Sequence, residues 1–149
     1  MKKWWFKDVR NILFAYGATF VLCSLFTLVL SKMGVTKFSM VETYGTSTPI
    51  YDCIFAPIVE EFIFRWIWIA AMIYILGRKT FKRFMWPFAA FLSIVFGVAH
   101  FGYFSIFIQG VMGMGLCYLY YKNRYGYLSA VICHSLWNLM LGVILPAII

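Results

Sequence analysis

Glu60, Glu61 and Arg65 stand inside an unbroken apolar stretch that runs from Ile50 to Ala71. At the centre of a membrane helix each charge costs roughly 2.5–3.5 kcal/mol, so the three ask for about 8–10 kcal/mol before any pairing. Residues kept at that cost are expected to do chemistry. On a helix, Glu61 and Arg65 are one turn apart, about 40° from eclipsed, and can pair along one face. Glu60 is rotated about 100° from Glu61 and about 140° from Arg65. The two carboxylates therefore take different jobs. Arg65 neutralises Glu61 and holds it, which leaves Glu60 to face a cavity and to take and return a proton. A purely structural ion pair needs one glutamate and leaves the second unexplained.

The chain has two histidines, His100 and His134, both within apolar segments. A lone histidine in such a place is most often an interhelical hydrogen-bond donor. Here each has company: Phe96 lies one turn before His100, and Asn138 one turn after His134 on the same helix face. An imidazole and a carboxamide presented together can donate to a developing oxyanion. A glutamate, two histidines and an asparagine make up a hydrolytic site or a metal site. Haem held by the two histidines is a third option, but it would leave Glu60, Glu61, Arg65 and Asn138 idle. Cys133 adjoins His134, yet sequence neighbours on a helix point about 100° apart, which disfavours a Cys–His nucleophile. With Cys23, Cys53 and Cys117 it reads as a small buried hydrophobe, since the four have no metal-ligand spacing.

Such a site needs helices to carry it. The 149 residues are 64% hydrophobic with a mean hydropathy of +0.85, where a soluble domain is about 45–50% apolar. The expectation is an all-α polytopic transmembrane bundle, a single membrane domain over residues 1–149 with its core at about 51–139. Five apolar segments can be drawn: Asn11–Ser31, Ile50–Leu76, Met85–Phe101, Phe104–Tyr121 and Tyr127–Ile149. Most approach the ~20 residues that cross a ~30 Å hydrocarbon core. The third and fourth are short, joined only by Gly102 and Tyr103, and read as a tight hairpin. Pro57, one turn before Glu60, removes a backbone bond to Cys53 and kinks its helix, which can open a wet pocket. Gly110, Gly113 and Gly115 let a neighbouring helix approach the fourth segment closely. They also make it a candidate face for homo-oligomer association.

The net charge of +8 does not imply nucleic acid. Lys2, Lys3, Lys7 and Arg10 precede the first segment, Arg78, Lys79, Lys82 and Arg83 fill the loop after the second, and Lys122 and Arg124 the loop after the fourth. With five spans and a cytoplasmic N-terminus, these ten of the thirteen basic residues fall inside, as the positive-inside rule requires. Lys32 and Lys37 fall outside, and Arg65 lies within the membrane. The chain is thus expected in the cell membrane, multi-pass. The basic, then apolar start resembles a signal peptide, but its run is too long and reads as an uncleaved span. Lys32–Pro49 reads as an extracytoplasmic loop, and aromatics such as Trp4, Trp5, Trp86, Tyr125 and Tyr127 as an interfacial belt.

Three motifs occur in order: Ala56-Pro57-x-x-Glu60-Glu61-x-x-Phe64-Arg65, Phe96-x-x-x-His100 and His134-x-x-x-Asn138. Together they resemble the CPBP group of intramembrane proteases, related to CAAX prenyl endopeptidases and to bacteriocin-immunity and abortive-infection proteins. The resemblance covers roughly Tyr51 to Leu139, including the glycine-rich fourth segment and Gly126. It implies that Glu60 and His100 activate a water for attack on a peptide carbonyl, that His134 and Asn138 stabilise the oxyanion, and that Glu61 and Arg65 hold the site. It implies a glutamate-type site without a cofactor, while Glu60, His100 and His134 leave zinc open. Members often have more spans than this chain supplies.

The reading is an intramembrane endopeptidase acting on a membrane-associated peptide or protein, with the lipid bilayer and no nucleic acid as partner. An immunity or scaffold protein that keeps the architecture but works by binding is the alternative. A coupled transporter is a more distant one, for want of an inverted repeat. One conflict stands: counted at 1.5 Å per residue, Glu60 falls at mid-bilayer, His100 nearer the outside and His134 nearer the inside, a gap of about 10 Å. The enzyme reading requires that gap to close.

Overall fold

A computed structural model describes residues 3–33, 48–100 and 105–144. Lys3–Lys32 contains no proline and forms one uninterrupted helix, α1. The next rod begins as π-helical turns at Tyr51–Phe55, tightens to α2 at Ala56–Glu61, loosens again at Phe62–Ile67 and continues as α3, Trp68–Ala99. Proline supplies no N–H to the turn before it, and the first π turns sit immediately ahead of Pro57. α4 spans Ser105–Lys122. α5 spans Gly126–Leu139 and runs on as π turns at Met140–Ile144. The connection at Gly102 and Tyr103 and most of the Lys32–Pro49 loop lie outside the described residues.

α3 is two helices, because Gly77 sits at φ 72°, ψ 150°. Only glycine takes that conformation without strain. Arg78–Phe84 therefore starts the second helix and is not the loop that its basic composition suggests. Phe81 is the reason. It is 1% exposed, packs in one cluster with Ile69, Ala89, Leu92 and Cys117, and leaves the charged residues around it outside.

α4 is the central rod and touches α1, α3 and α5. Ring contacts give the directions. Phe14 meets Tyr118 and Phe26 meets Phe107, at 6.1 and 5.4 Å, so α1 and α4 are antiparallel. Phe81 meets Tyr121 at 5.8 Å, while Gly110 lies against Ser93, so the second half of α3 also opposes α4. The three glycines of α4 are used inside the chain. A Cβ on Gly113 would stand 3.1 Å from Ser93 Cα, and one on Gly115 would stand 2.8 Å from Thr19 Oγ1. They hold α4 against α3 and α1, and so do not form the outward face for association that the sequence suggests. Gly126 is tighter still: a Cβ there would overlap the Tyr120 carbonyl.

The outer surface is the reverse of a soluble protein's. Leu13, Phe14, Val21, Leu25 and Leu28 on α1, Phe55, Val59 and Phe62 on the second rod, and Phe91, Ile94 and Val98 on α3 are all exposed. An apolar coat this continuous marks a surface covered by lipid. Trp5–Lys32 and Gly126–Ile144 are each long and apolar enough to cross a membrane.

Polar groups tie α1 to the α4–α5 turn. Asn11 Nδ2 donates to Asn123 Oδ1 at 2.7 Å, and Asn123 Nδ2 donates to the Asp8 carbonyl at 3.2 Å and Ser129 Oγ at 2.9 Å. All four residues are buried. Asn123→Ala strips three buried groups of a partner and is expected to cost about 2–4 kcal/mol. The measurement is a thermal or denaturant midpoint in detergent, and a midpoint equal to wild type would show that the network contributes nothing.

Candidate active site

Glu60 and Glu61 occupy the last turn of α2, where π turns follow at once. Glu61 is fully buried. Its Oε1 accepts from Arg65 Nη1 at 2.9 Å and from His134 Nδ1 at 2.9 Å. Both partners sit within the same oxygen's reach because Arg65 is one turn on, and α5 packs across α2. A carboxylate can only accept, so the imidazole carries its proton on Nδ1 and the neutral ring presents a bare Nε2. That Nε2 stands 3.7 Å from Glu60 Oε2.

His100 follows the last residue of α3, at φ −87°, ψ 10°. Its Nδ1 lies 2.8 Å from the Phe96 carbonyl. The acceptor again fixes the tautomer, with the proton on Nδ1 and the Nε2 lone pair turned inward. His100 Nε2 is also 3.7 Å from Glu60 Oε2. Glu60, His100 and His134 thus meet at one point from three helices, and the 10 Å gap of the straight-helix count is closed. Helical breaks account for the closure: π turns on both sides of α2, the bend at Gly77, and Pro87 inside the returning helix, each of which diverts a rod from its ideal path.

The site has two layers. Glu61 and Arg65 are wholly buried and His134 is 2% exposed, whereas Glu60 is 29% and His100 20% exposed. A sealed inner charge pair therefore supports an outer carboxylate and imidazole that remain accessible. At the centre three acceptor atoms converge, and Glu60 Oε2 has no hydrogen-bond partner among the described residues. Such a cluster calls for a donor between its members: a water, a proton or a cation.

Asn138 is buried one turn after His134. The bond that places it runs from Nδ2 to the Asp52 carbonyl at 2.8 Å, which fastens α5 to the π turns at the head of the second rod. Cys133 packs with Ala15, Cys23 and Trp137 in the core, while the neighbouring His134 ring is engaged by Glu61.

Two contributors escaped the sequence reading. Tyr127 donates its hydroxyl to the Ile58 carbonyl at 2.8 Å, two residues before Glu60, and pins the distorted helix to α5. Nothing separated it from an ordinary belt aromatic. The Phe96 ring is the other. Its spacing from His100 was visible, but its contacts with Arg65 and both imidazoles were not.

Among the described residues, no group of three or more His, Cys, Asp or Glu is gathered closely enough to hold a metal ion. The donor chemistry is nevertheless suitable, since each imidazole has its Nδ1 tied to an oxygen acceptor, as metal-ligating histidines usually do. A family model described as type II CAAX prenyl endopeptidase Rce1-like matches residues 44–140. No curated protein and no solved structure matches the chain.

Proposed function

Because the chain belongs to the Rce1-like family of type II CAAX prenyl endopeptidases, which are membrane proteases, we propose that Glu60, His100, His134 and Asn138 are its peptide-hydrolysing set. The observation that supports this most is the approach of Glu60 Oε2 to the Nε2 atoms of both histidines, at 3.7 Å each. The substrate is a membrane-associated peptide or protein whose scissile bond reaches the accessible side of Glu60.

A water at the convergence point donates to Glu60 Oε2 and His100 Nε2, which turns its oxygen lone pair toward the substrate carbonyl. As the oxygen attacks, Glu60 takes the water's proton, and the carbonyl oxygen becomes an oxyanion. His134, which takes up a solvent proton at Nε2 before the attack and keeps it through the step, answers that charge as an imidazolium, because Glu61 on Nδ1 stabilises the cation. Asn138 adds its side-chain amide as a second donor. The C–N bond then breaks, and the proton held by Glu60 passes to the leaving amine. The carboxyl product, the amine product and the starting protonation of Glu60 balance the hydrolysis.

This scheme runs without a metal. Zinc, if bound, would be held by Glu60, His100 and His134, and would supply a water of lowered pKa. On this reading the protein would lie in the cell membrane as a single domain with about five crossings. Lys7, Arg10, Arg78–Arg83, Lys122 and Arg124 would be at the cytoplasmic end.

His100 gives the cleanest test, since it lies at a helix end and bears little of the buried charge. Peptides and new protein N-termini are compared between cells expressing wild type and His100→Gln at equal membrane levels. Fragments that appear only with wild type establish the protease and identify its substrate. Identical profiles, with the biological phenotype retained in both, overturn the peptidase reading and favour an immunity or scaffold protein of the same architecture that acts by binding.

A further inference from the structure

Arg65 is held in an unusual way. Its side chain is fully buried and makes its ion pair through Nη1 alone, while Nε and Nη2 have no hydrogen-bond partner among the described residues. A buried guanidinium with so few acceptors needs another source of negative potential. The Phe96 ring provides one, for Arg65 Cζ lies over it at 4.0 Å from the centroid. An aromatic face is negative, and its attraction for a cation is greatest where water is excluded. Phe96 is itself 0% exposed and is braced edge-on by Phe64, at 5.3 Å and 80°. Space beside the guanidinium is closed by Gly113, where a Cβ would stand 3.1 Å from Nη2.

The same ring touches both histidines. Its centroid is 4.5 Å from the His100 ring, and 5.7 Å from that of His134, nearly perpendicular at 85°. Its carbonyl fixes the His100 tautomer. One residue thus meets Arg65 by its π face, His134 by ring packing and His100 by both ring and backbone.

We propose that Phe96 is a positioning residue whose π face holds the Arg65 guanidinium in place, and thereby keeps Glu61 aimed at His134 with the hydrogen on Nδ1 between them. This rests on the peptidase reading for its effect on rate, but the tautomer consequence stands without it. A leucine or methionine would fill the volume and leave the cation without a counterpart. Gly113 serves the same end by leaving room for the guanidinium.

Fluorinated phenylalanines separate the two roles, because successive fluorines drain the ring's negative face with little change in shape. The full chain is made with mono-, di- and trifluorophenylalanine at position 96. Cleavage rate and the side-chain 15N spectrum of His134 are followed across the series. The expected result is a stepwise fall in log kcat, reaching about thirtyfold at three fluorines with KM little changed. The His134 Nδ1–H population should fall in step, while His100, fixed by a backbone carbonyl, keeps its tautomer. A flat response in both readouts, with Phe96→Leu still damaging, would reduce Phe96 to a packing residue and overturn the proposal. If wild type cleaves nothing, the peptidase reading fails, and the 15N series alone decides the role of Phe96.

Discussion

Glu60→Gln is expected to slow cleavage by about a thousandfold, within the range that loss of a positioned general base produces, while making the protein slightly more stable. The two effects share one cause. In the wild-type site, Glu60 Oε2 faces two imidazole nitrogens whose other nitrogens are tied to acceptors, so three lone pairs point toward one another. Glutamine has the same shape and brings an NH2 that can donate toward those nitrogens. That resolves the conflict and should add about 1 kcal/mol of stability. It also removes the carboxylate that takes the proton of the attacking water. Cleavage of the substrate by reconstituted protein and a thermal midpoint in detergent check the two halves. An unchanged rate would remove Glu60 from the chemistry. A fall in both rate and midpoint would make it a structural ion.

Much of this was legible because it is local. Among the described residues the apolar segments are helical, and the one-turn spacing of Glu61 and Arg65 gives their 2.9 Å ion pair directly from helix geometry. The different surroundings of Glu60 and Glu61 follow from the same step of about 100°. What failed was the straight-rod arithmetic that set His100 and Glu60 about 10 Å apart in depth. π turns, the positive φ at Gly77 and an internal proline each divert the axis, and Pro57 alone was a visible warning. Contacts between distant residues had no local signature at all. His134 on Glu61, Tyr127 on Ile58 and Asn11 on Asn123 join residues 73, 69 and 112 positions apart, and they depend on how rods pack. The glycines of α4 announced close approach but not to which neighbour, and the neighbour proved to be in the same chain.

Arg65→Met should be the most damaging change to folding. Its side chain and that of Glu61 are both 0% exposed, and removing one partner of a buried pair leaves the other uncompensated, at a cost of about 3–5 kcal/mol. Glu61 can escape that cost only by taking up a proton, and a protonated carboxyl has less to offer His134 Nδ1–H. Stability and the inner layer of the site should therefore fail together. A second substitution separates them. Glu61→Gln combined with Arg65→Met removes both charges, and the amide oxygen can still accept from His134. Most of the lost stability should return, because a neutral pair of similar volume pays little for burial. Activity should not return with it: without a carboxylate on Nδ1 the imidazolium that answers the oxyanion is unsupported, and the rate should stay at least about a hundredfold below wild type. Unfolding midpoints and cleavage rates of the single and double variants decide the matter. If the double variant recovered both, Glu61 and Arg65 would be a packing device with no part in the reaction. If it recovered neither, the inner layer would depend on the charges themselves for its fold, and the roles of stability and catalysis could not be divided between the two layers.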